Sequence, residues 1–438
     1  MSQGKTLLVG TAWVALGQGI GFFLRFFSSW ILAKLLAPED YGRLGWAMAI
    51  VTWFELTSDL GLVPTLLRSK DGLTPRYLQT AWTMTMMRGS LLGVACLFVA
   101  LATGTLGGYT THGVLLALLG LRPMIMALRS PGIVKRRARL DFRAIVIEEV
   151  LQTGIGVYSS VVWATFDPTG NAIVAGTLIG TVTSVVVSYW LEPMMPVWTW
   201  DKEVMAELGQ SSKKIFLNTM VMALWLNMDR LIGSNWVGDA GMGPYVLAFN
   251  LAAAVEGLLS KALDVHYGQL AKKMASMGHA DELDELHEKA GQWKRLYVFP
   301  AIVLISAVAP AAVWILYDAR YATARIILPV LILRLIPRLH GQFHFQRMLA
   351  KGQLAPATIA YLIAALVQIA VMRPLCKLDP SEYTWGGARG LALSVMISTV
   401  VWTLCQDFLA GRVTAKARWE WTHFIFWTGS GLTVASFF

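Results

Sequence analysis

The sequence predicts an all-α polytopic membrane protein: about twelve transmembrane helices, with a thirteenth candidate, in two pseudo-repeated six-helix lobes around a polar, basic central cavity. Three observations carry that prediction. Of 438 residues, 55% are hydrophobic and only 15% charged, where a soluble domain carries about 25% charged residues. Apolar runs of about 20 residues, enough to cross a bilayer core, recur along the whole chain. Lys and Arg gather in alternate junctions between those runs.

The spans fall near 6–34, 43–67, 77–103, 113–130, 144–165 and 171–191, then 213–237, 241–265, 296–317, 322–346, 354–373 and 387–409. The thirteenth candidate is 421–438. With the N-terminus in the cytoplasm, the inside junctions hold about 22 Lys and Arg and the outside junctions about six. That bias sets the orientation. It also accounts for the net charge of +10 without nucleic acid, since the basic residues sit in short loops. The first run contains Gln18 and Arg25 and lacks a cleavage site, so no signal peptide is expected.

The domain plan is an N-terminal lobe over 1–191, a cytoplasmic amphipathic linker over 192–212, a C-terminal lobe over 213–410 and a tail over 411–438. In the linker Trp198, Trp200, Val204 and Leu208 oppose Lys202, Glu203 and Glu207, as in an interfacial segment. The mixed-charge stretch 267–295 reads as a solvated cytoplasmic helix or a docking segment. A shift of 201 residues aligns Gly42 with Gly243, Ala47 with Ala248, Glu55 with Glu256 and Leu62 with Leu263. A diverged duplication of six-helix halves leaves such a trace, and many transporters are built that way.

Soluble-enzyme signatures are missing: no Walker A sequence, no His-Glu-x-x-His and no Gly-x-Ser-x-Gly. Three scattered cysteines make neither a disulfide framework nor a zinc site, and no cofactor is expected. Gly17-x3-Gly21, Gly176-x3-Gly180 and Gly386-x3-Gly390 mark close helix packing.

Charges inside spans are costly in lipid, so they point to protein or water. Gln18, Arg25 and Ser29 share a stripe on the first span, and Glu55 and Asp59, four apart, share a face of the second. Arg25 is expected either to clamp Glu55 or Asp59 or to meet a ligand. Arg88 and Arg122, the latter beside Pro123, have fewer local acids and suit an anion. Arg334 and Arg338 repel one another unless an anion or acid neutralises them. Asn218, Trp225 and Asp229 share a face of the seventh span, where the neighbouring Arg230 reads as a snorkelling side chain. His340 and His344 read either as proton-linked groups or as polar residues near the inner end of the tenth span. Arginines outnumber acids at these depths, which suits a carrier of anions such as diphosphates, well matched by guanidinium forks. Arg25, Arg88, Arg122, Arg334 and Arg338 are the candidate substrate contacts. Glu55, Asp59, Asp229 and Glu256 are the candidate ion-coupling or gating acids.

LLAPEDYGRLGWAMAI, the following SDLGL, TAWTMTMMRGSLLG at 80–93 and NMDRLIGSNWVGDAGMGPYVLAFNLAAAVEGLLSKAL at 227–263 resemble the polysaccharide transporter family. These are Wzx-type lipid-linked oligosaccharide flippases of the MOP superfamily, which also holds MATE exporters and lipid II flippases. The resemblance implies a flippase of a bacterial inner membrane, working by alternating access on an undecaprenyl-diphosphate-linked sugar unit, driven by H⁺ or Na⁺. It places the family's basic cavity at Arg25, Arg88, Arg334 and Arg338 and its entry acids at Asp59 and Asp229. Implied partners are the polyprenyl-diphosphate-linked sugar and membrane lipid, with polysaccharide polymerases and export proteins as neighbours. A MATE-like drug or cation exporter, a lipid II flippase, and a membrane enzyme or scaffold of polysaccharide assembly are the alternatives.

Overall fold

The chain is described from a computed structural model that covers residues 3–59, 61–139, 141–277, 291–292, 294–350, 354–378 and 387–409. The candidate thirteenth span, residues 278–290 and 293 of the 267–295 stretch, and Gly386 lie outside the described residues. No strand occurs among those described. Among the described residues, ten helical segments are long and apolar enough to cross a membrane. Contacts divide the chain into two compact units, Met1–Ala223 and Leu224–Phe438.

The first unit comprises α1 (Gln3–Leu35), α2 (Pro38–Thr57), α3 (Leu62–Arg68), α4 (Pro75–Gly107), α5 (Thr110–Leu119), α6 (Leu121–Ala127), α7 (Ile133–Ala138), α8 (Phe142–Phe166) and α9 (Gly170–Leu191). The run α10 (Lys202–Met277) carries the chain into the second unit. There follow α11 (Phe299–Leu316), α12 (Ala324–Leu333), α13 (Leu335–Ala350), α14 (Leu354–Lys377) and α15 (Gly387–Leu409).

Three predicted spans are interrupted, each for a local reason. The second ends at Thr57 and resumes at Leu62 after Gly61, whose φ of 59° is left-handed. Ser58 and Thr57 turn their hydroxyls back onto the Phe54 and Trp53 carbonyls, and the Asp59 carboxylate accepts from the Gly61 N–H. Asp59 therefore lies beyond the helix and shares no helical face with Glu55. The fourth breaks between Leu119 and Leu121, and the tenth between Leu333 and Leu335. In each the break, at Gly120 or Arg334, sits three residues before a proline, Pro123 or Pro337, and the last helical residue, Leu119 or Leu333, four before it. The missing N–H and the ring clash act on the carbonyl at that distance.

Within α10 the Phe216–Ser260 segment is 45 residues long, about 68 Å of helix, over twice a bilayer core. Gly238 interrupts it with φ 71° and ψ 169°, a conformation closed to residues with a Cβ.

The linker is docked. Residues 193–201 run as irregular chain along α4, where Gln79 donates to the Met195 carbonyl and accepts from Val197, and Thr83 accepts from Thr199. Val204 and Leu208 are buried in a cluster with Leu62, Leu66, Leu78, Ile133 and Val134. Trp198 and Trp200 stay exposed, as an interfacial segment requires. Asp201 caps the start of α10 on the Glu203 and Val204 N–H groups and accepts from Arg76. Arg136 fastens the upstream end through Glu192 and the Leu191 carbonyl.

Small residues bring α8 onto α9. A Cβ on Gly176 would lie 1.9 Å from Ser160 Oγ and 2.4 Å from the Gly156 carbonyl; one on Gly180 would lie 2.7 Å from the Gln152 carbonyl. The α1–α8 approach is similar, with Gly17 against Val146 at 2.5 Å. Gly21 has room for a side chain, so that glycine pair is close-packed at one member only.

Gly176→Ala should push α8 and α9 apart and cost about 1–3 kcal/mol. Thermal unfolding in detergent reads this out, and an unchanged midpoint would refute the close approach. Arg76, with the Val204 N–H, holds the Asp201 carboxyl below its ordinary value. A lowered folded pKa stabilises docking above the ordinary carboxylate value and releases it as pH falls through the depressed one. Hydrogen-exchange protection over 195–208, relative to the intrinsic rate at each pH, should fall on acidification, and Asp201→Asn should abolish that response.

Candidate functional site

In each unit a glutamate on a membrane-spanning helix gathers arginines. In the first unit Glu55, in the last turn of α2, holds Arg122 of α6 through its carboxylate at 2.7 Å. Its backbone carbonyl accepts from Arg88 of α4 at 2.6 Å, while Arg88 Nε donates to Ser58 Oγ at 2.9 Å. Arg88 thereby caps the α2 C-terminus, where a cation satisfies orphan carbonyls and the helix dipole.

In the second unit Glu256, on α10 after the Gly238 break, holds Arg338 at 3.2 Å and Arg334 at 3.4 Å. Arg334 is the residue at which the tenth span breaks, and Arg338 lies one turn further on. The mutual repulsion expected of that pair is offset by the one carboxylate between them. Their planes rest on aromatics: Arg338 lies over Trp225 and Trp402, and Arg334 over Phe249.

Asp229 stands beside this cluster at 1% exposure. One carboxylate oxygen accepts from Tyr245 Oη, and the other lies 3.7 Å from Arg230 Nε, too far for a hydrogen bond. Arg230 stacks on Phe249 and donates to Asn227. Its side chain is 14% exposed, so it is packed inward rather than snorkelling. Three arginines against two carboxylates leave this cluster basic by one charge.

A cavity with about 240 Å³ of open space adjoins it, lined among others by Trp225, Asp229, Arg334, Arg338, Gln368 and Thr399. Asp229 Oδ1, Arg334 Nε and Gln368 Nε2 are buried there without a hydrogen bond. The part of it that a bound molecule could fill is about that of one water, which suits water or an ion rather than a sugar.

The remaining predicted site residues lie elsewhere. Arg25 pairs with Glu149 of α8 at 3.9 Å, not with Glu55 or Asp59, and Gln18 donates to the same carboxylate. Asp59 is exposed at the α2–α3 turn. Sequence reasoning missed Glu149 and its neighbour Glu148, which is buried and bound to Arg129 and Ser184. Two adjacent acids near the start of an apolar run were the available signal. It also missed Asp407, close to the end of α15.

Replacing Glu256 by Ala should leave two buried guanidiniums unneutralised and destabilise the second unit by about 3–5 kcal/mol. The double change Glu256→Ala with Arg338→Met should recover much of that loss in thermal unfolding. Equal stability of the single variant and wild type would show that the cluster is solvated.

A family model described as polysaccharide biosynthesis protein matches residues 31–325. No curated relative matches significantly. An inward-facing multidrug resistance MATE family transporter of the MOP superfamily superposes with TM-score 0.68 at 14% identity, covering 95% of this chain and 99% of its own. An outward-facing structure of a multidrug resistance MATE family transporter of the MOP superfamily gives 0.60 at 14%, covering 95% and 100%. A MOP superfamily transporter from Pyrococcus furiosus, whose reversed pocket polarity suggests a different function for it, gives 0.58 at 14%, covering 94% and 98%. At such identity these likenesses bear on fold alone. With well over half its length matched by the family model, the chain belongs to the polysaccharide biosynthesis protein family and carries the fold of the MOP-superfamily transporters.

Proposed function

We propose that the protein is a flippase that carries a polyprenyl-diphosphate-linked sugar unit from the cytoplasmic to the outer leaflet of a bacterial inner membrane. The observation that carries this reading is the recurrence, in each unit, of a fourth-span arginine held by a lone glutamate: Arg122 on Glu55, and Arg334 with Arg338 on Glu256. A diphosphate brings more negative charge than one carboxylate and fits guanidinium forks bidentately. It competes for these arginines while the glutamates occupy them in its absence. Exchange between internal carboxylate and diphosphate gives both a binding step and a release step, as alternating access needs. The prenyl chain stays in lipid throughout.

Arg122 and Arg338 are the first contacts in this reading. Arg334, more deeply buried, supports Arg338. Arg88 holds the end of α2 in place, and Arg25 braces α1 against α8. Asp229, one oxygen unbonded beside a small cavity, is the acid suited to bind the coupling H⁺ or Na⁺; Asp59 is too exposed for that work. The basic bias of the inside junctions supports a cytoplasmic N-terminus. An exporter of cationic drugs would need acids in excess, and the second-unit cluster has the opposite balance.

The test is a deletion strain lacking paralogues, assayed for lipid-linked sugar intermediates by leaflet. Wild type should clear the cytoplasmic build-up. Arg122→Ala and Arg338→Ala, at matched expression, should each lower export about tenfold or more, as loss of a charged hydrogen bond implies. Full export by both variants would remove the arginines from the path. Normal intermediates with altered drug sensitivity would point to a MATE-like exporter.

A further inference from the structure

Two histidines and one aspartate meet in the interior of the second unit. His340 and His344 lie one turn apart on α13 and so face one direction. Asp407 comes from α15. All three are buried, at 7%, 2% and 7% exposure. His340 Nε2 and His344 Nε2 are 3.3 Å apart, His344 Nε2 is 3.1 Å from Asp407 Oδ1, and His340 Nε2 is 3.5 Å from Asp407 Oδ2.

We propose that His340, His344 and Asp407 form a binding site for a divalent transition metal ion of the Zn²⁺ class, which ties α13 to α15.

The separations support a metal over a hydrogen-bonded triad. Charge-assisted N–H···O bonds run to about 2.7–2.9 Å, shorter than either histidine–aspartate distance here. Ligands held at about 2.0–2.1 Å around tetrahedral Zn²⁺ are about 3.3–3.4 Å from one another, the separation found between the two Nε2 atoms. The Asp407 carboxylate turns one oxygen toward each ring, so that one ligand atom from each residue falls within 4.8 Å of the others. Both imidazoles also present the same atom, Nε2, to the shared centre. In a hydrogen bond between them one must donate and the other accept, whereas metal ligation uses the lone pair of both.

Charge points the same way. Among the described residues the Asp407 carboxylate pairs only with these two rings. A buried carboxylate and two imidazole lone pairs directed at one point present the donor set of a divalent cation, whose charge offsets the cost of burying the carboxylate. Two nitrogens and one carboxylate oxygen favour Zn²⁺, Co²⁺ or Ni²⁺ over Mg²⁺ or Ca²⁺. Three protein ligands leave a fourth position open.

The site is held in register by its neighbours on the same two helices. Thr403, one turn before Asp407, donates to the Pro337 carbonyl at 2.9 Å. Gly341 lets the α13 backbone approach Trp402 so closely that a Cβ there would lie 2.4 Å from Cζ3 of the ring. The carboxylate and the rings are thus positioned by packing rather than by the ion, which is how a selective site is preorganised. A bound ion would stiffen the half of the broken tenth span that begins at Arg334.

The full chain, with any affinity tag removed, is stripped with chelator in detergent and titrated with Co²⁺. Tetrahedral visible bands should appear with one ion per chain and vanish as Zn²⁺ displaces it. Zn²⁺ should raise the unfolding temperature of wild type. His344→Gln and Asp407→Asn should each weaken binding by more than the roughly 10–100-fold that a supporting residue costs, and lose the thermal shift. Retention of the bands in both variants, an octahedral spectrum, or no thermal shift in wild type would overturn the proposal. If a variant does not fold, X-ray absorption of Zn²⁺-loaded wild type decides: two imidazoles with oxygen support the site, and sulfur or oxygen-only ligation refutes it.

Discussion

A charged group inside an apolar bundle has to be neutralised where it stands, and that constraint organises both halves of this chain. Glu55 and Glu256 are each fixed on a helix that also has to meet a broken fourth span. Each is answered by an arginine from that span. The pairing does more than cancel charge, because the arginine sits at or next to the break itself. Arg122 follows the Gly120 interruption by two residues, and Arg334 occupies its own interruption. The helix ends freed by Pro123 and Pro337 therefore lie beside charges that are already paired, so an irregular backbone is tolerated at depth because protein surrounds it.

The two halves use the same plan with different weights. In the first, the second arginine is spent on backbone: Arg88 closes the end of α2 through the Glu55 carbonyl and Ser58. In the second, both arginines share one carboxylate, the aromatics Trp225, Trp402 and Phe249 lie against them, and Asp229 is left with one oxygen unbonded. The Glu55 cluster is thus nearly saturated and the Glu256 cluster retains unsatisfied polar atoms around a small space. Unsatisfied buried groups in a native protein call for a water, an ion or a function.

Much of this was legible in the sequence, because hydropathy and charge are strong signals in membranes. The helix positions, the alternating basic junctions, the Gly176–Gly180 packing and the correspondence of Glu55 with Glu256 all follow from residue type and spacing. Partners were less legible. Arg25 finds Glu149 and Arg88 finds a carbonyl because those choices depend on which helices adjoin, and period alone leaves that open. Asp59 misled for a related reason: four residues after Glu55 implies a shared face only while the helix continues, and Ser58 with Gly61 ends it. Asp407 carried no pattern with His340 and His344, since it arrives from a helix more than 60 residues later.

The asymmetry between halves bears on how a transporter of this fold would work. A glutamate that binds two guanidiniums more weakly than a diphosphate would is a holding group, and it must regain them when the substrate leaves. Arg122 is 32% exposed and Arg334 only 8%, so an incoming anion reaches the first half's arginine with less rearrangement. Drawing on the second half's pair requires Arg338 to leave Trp225 and Trp402, and that movement would open the space beside Asp229. Occupation of the arginines by an anion and protonation or metallation of the acid would then be linked through one side chain. Arg338 is therefore the residue at which binding and coupling free energies meet, a role that a saturated cluster like the first half's cannot take.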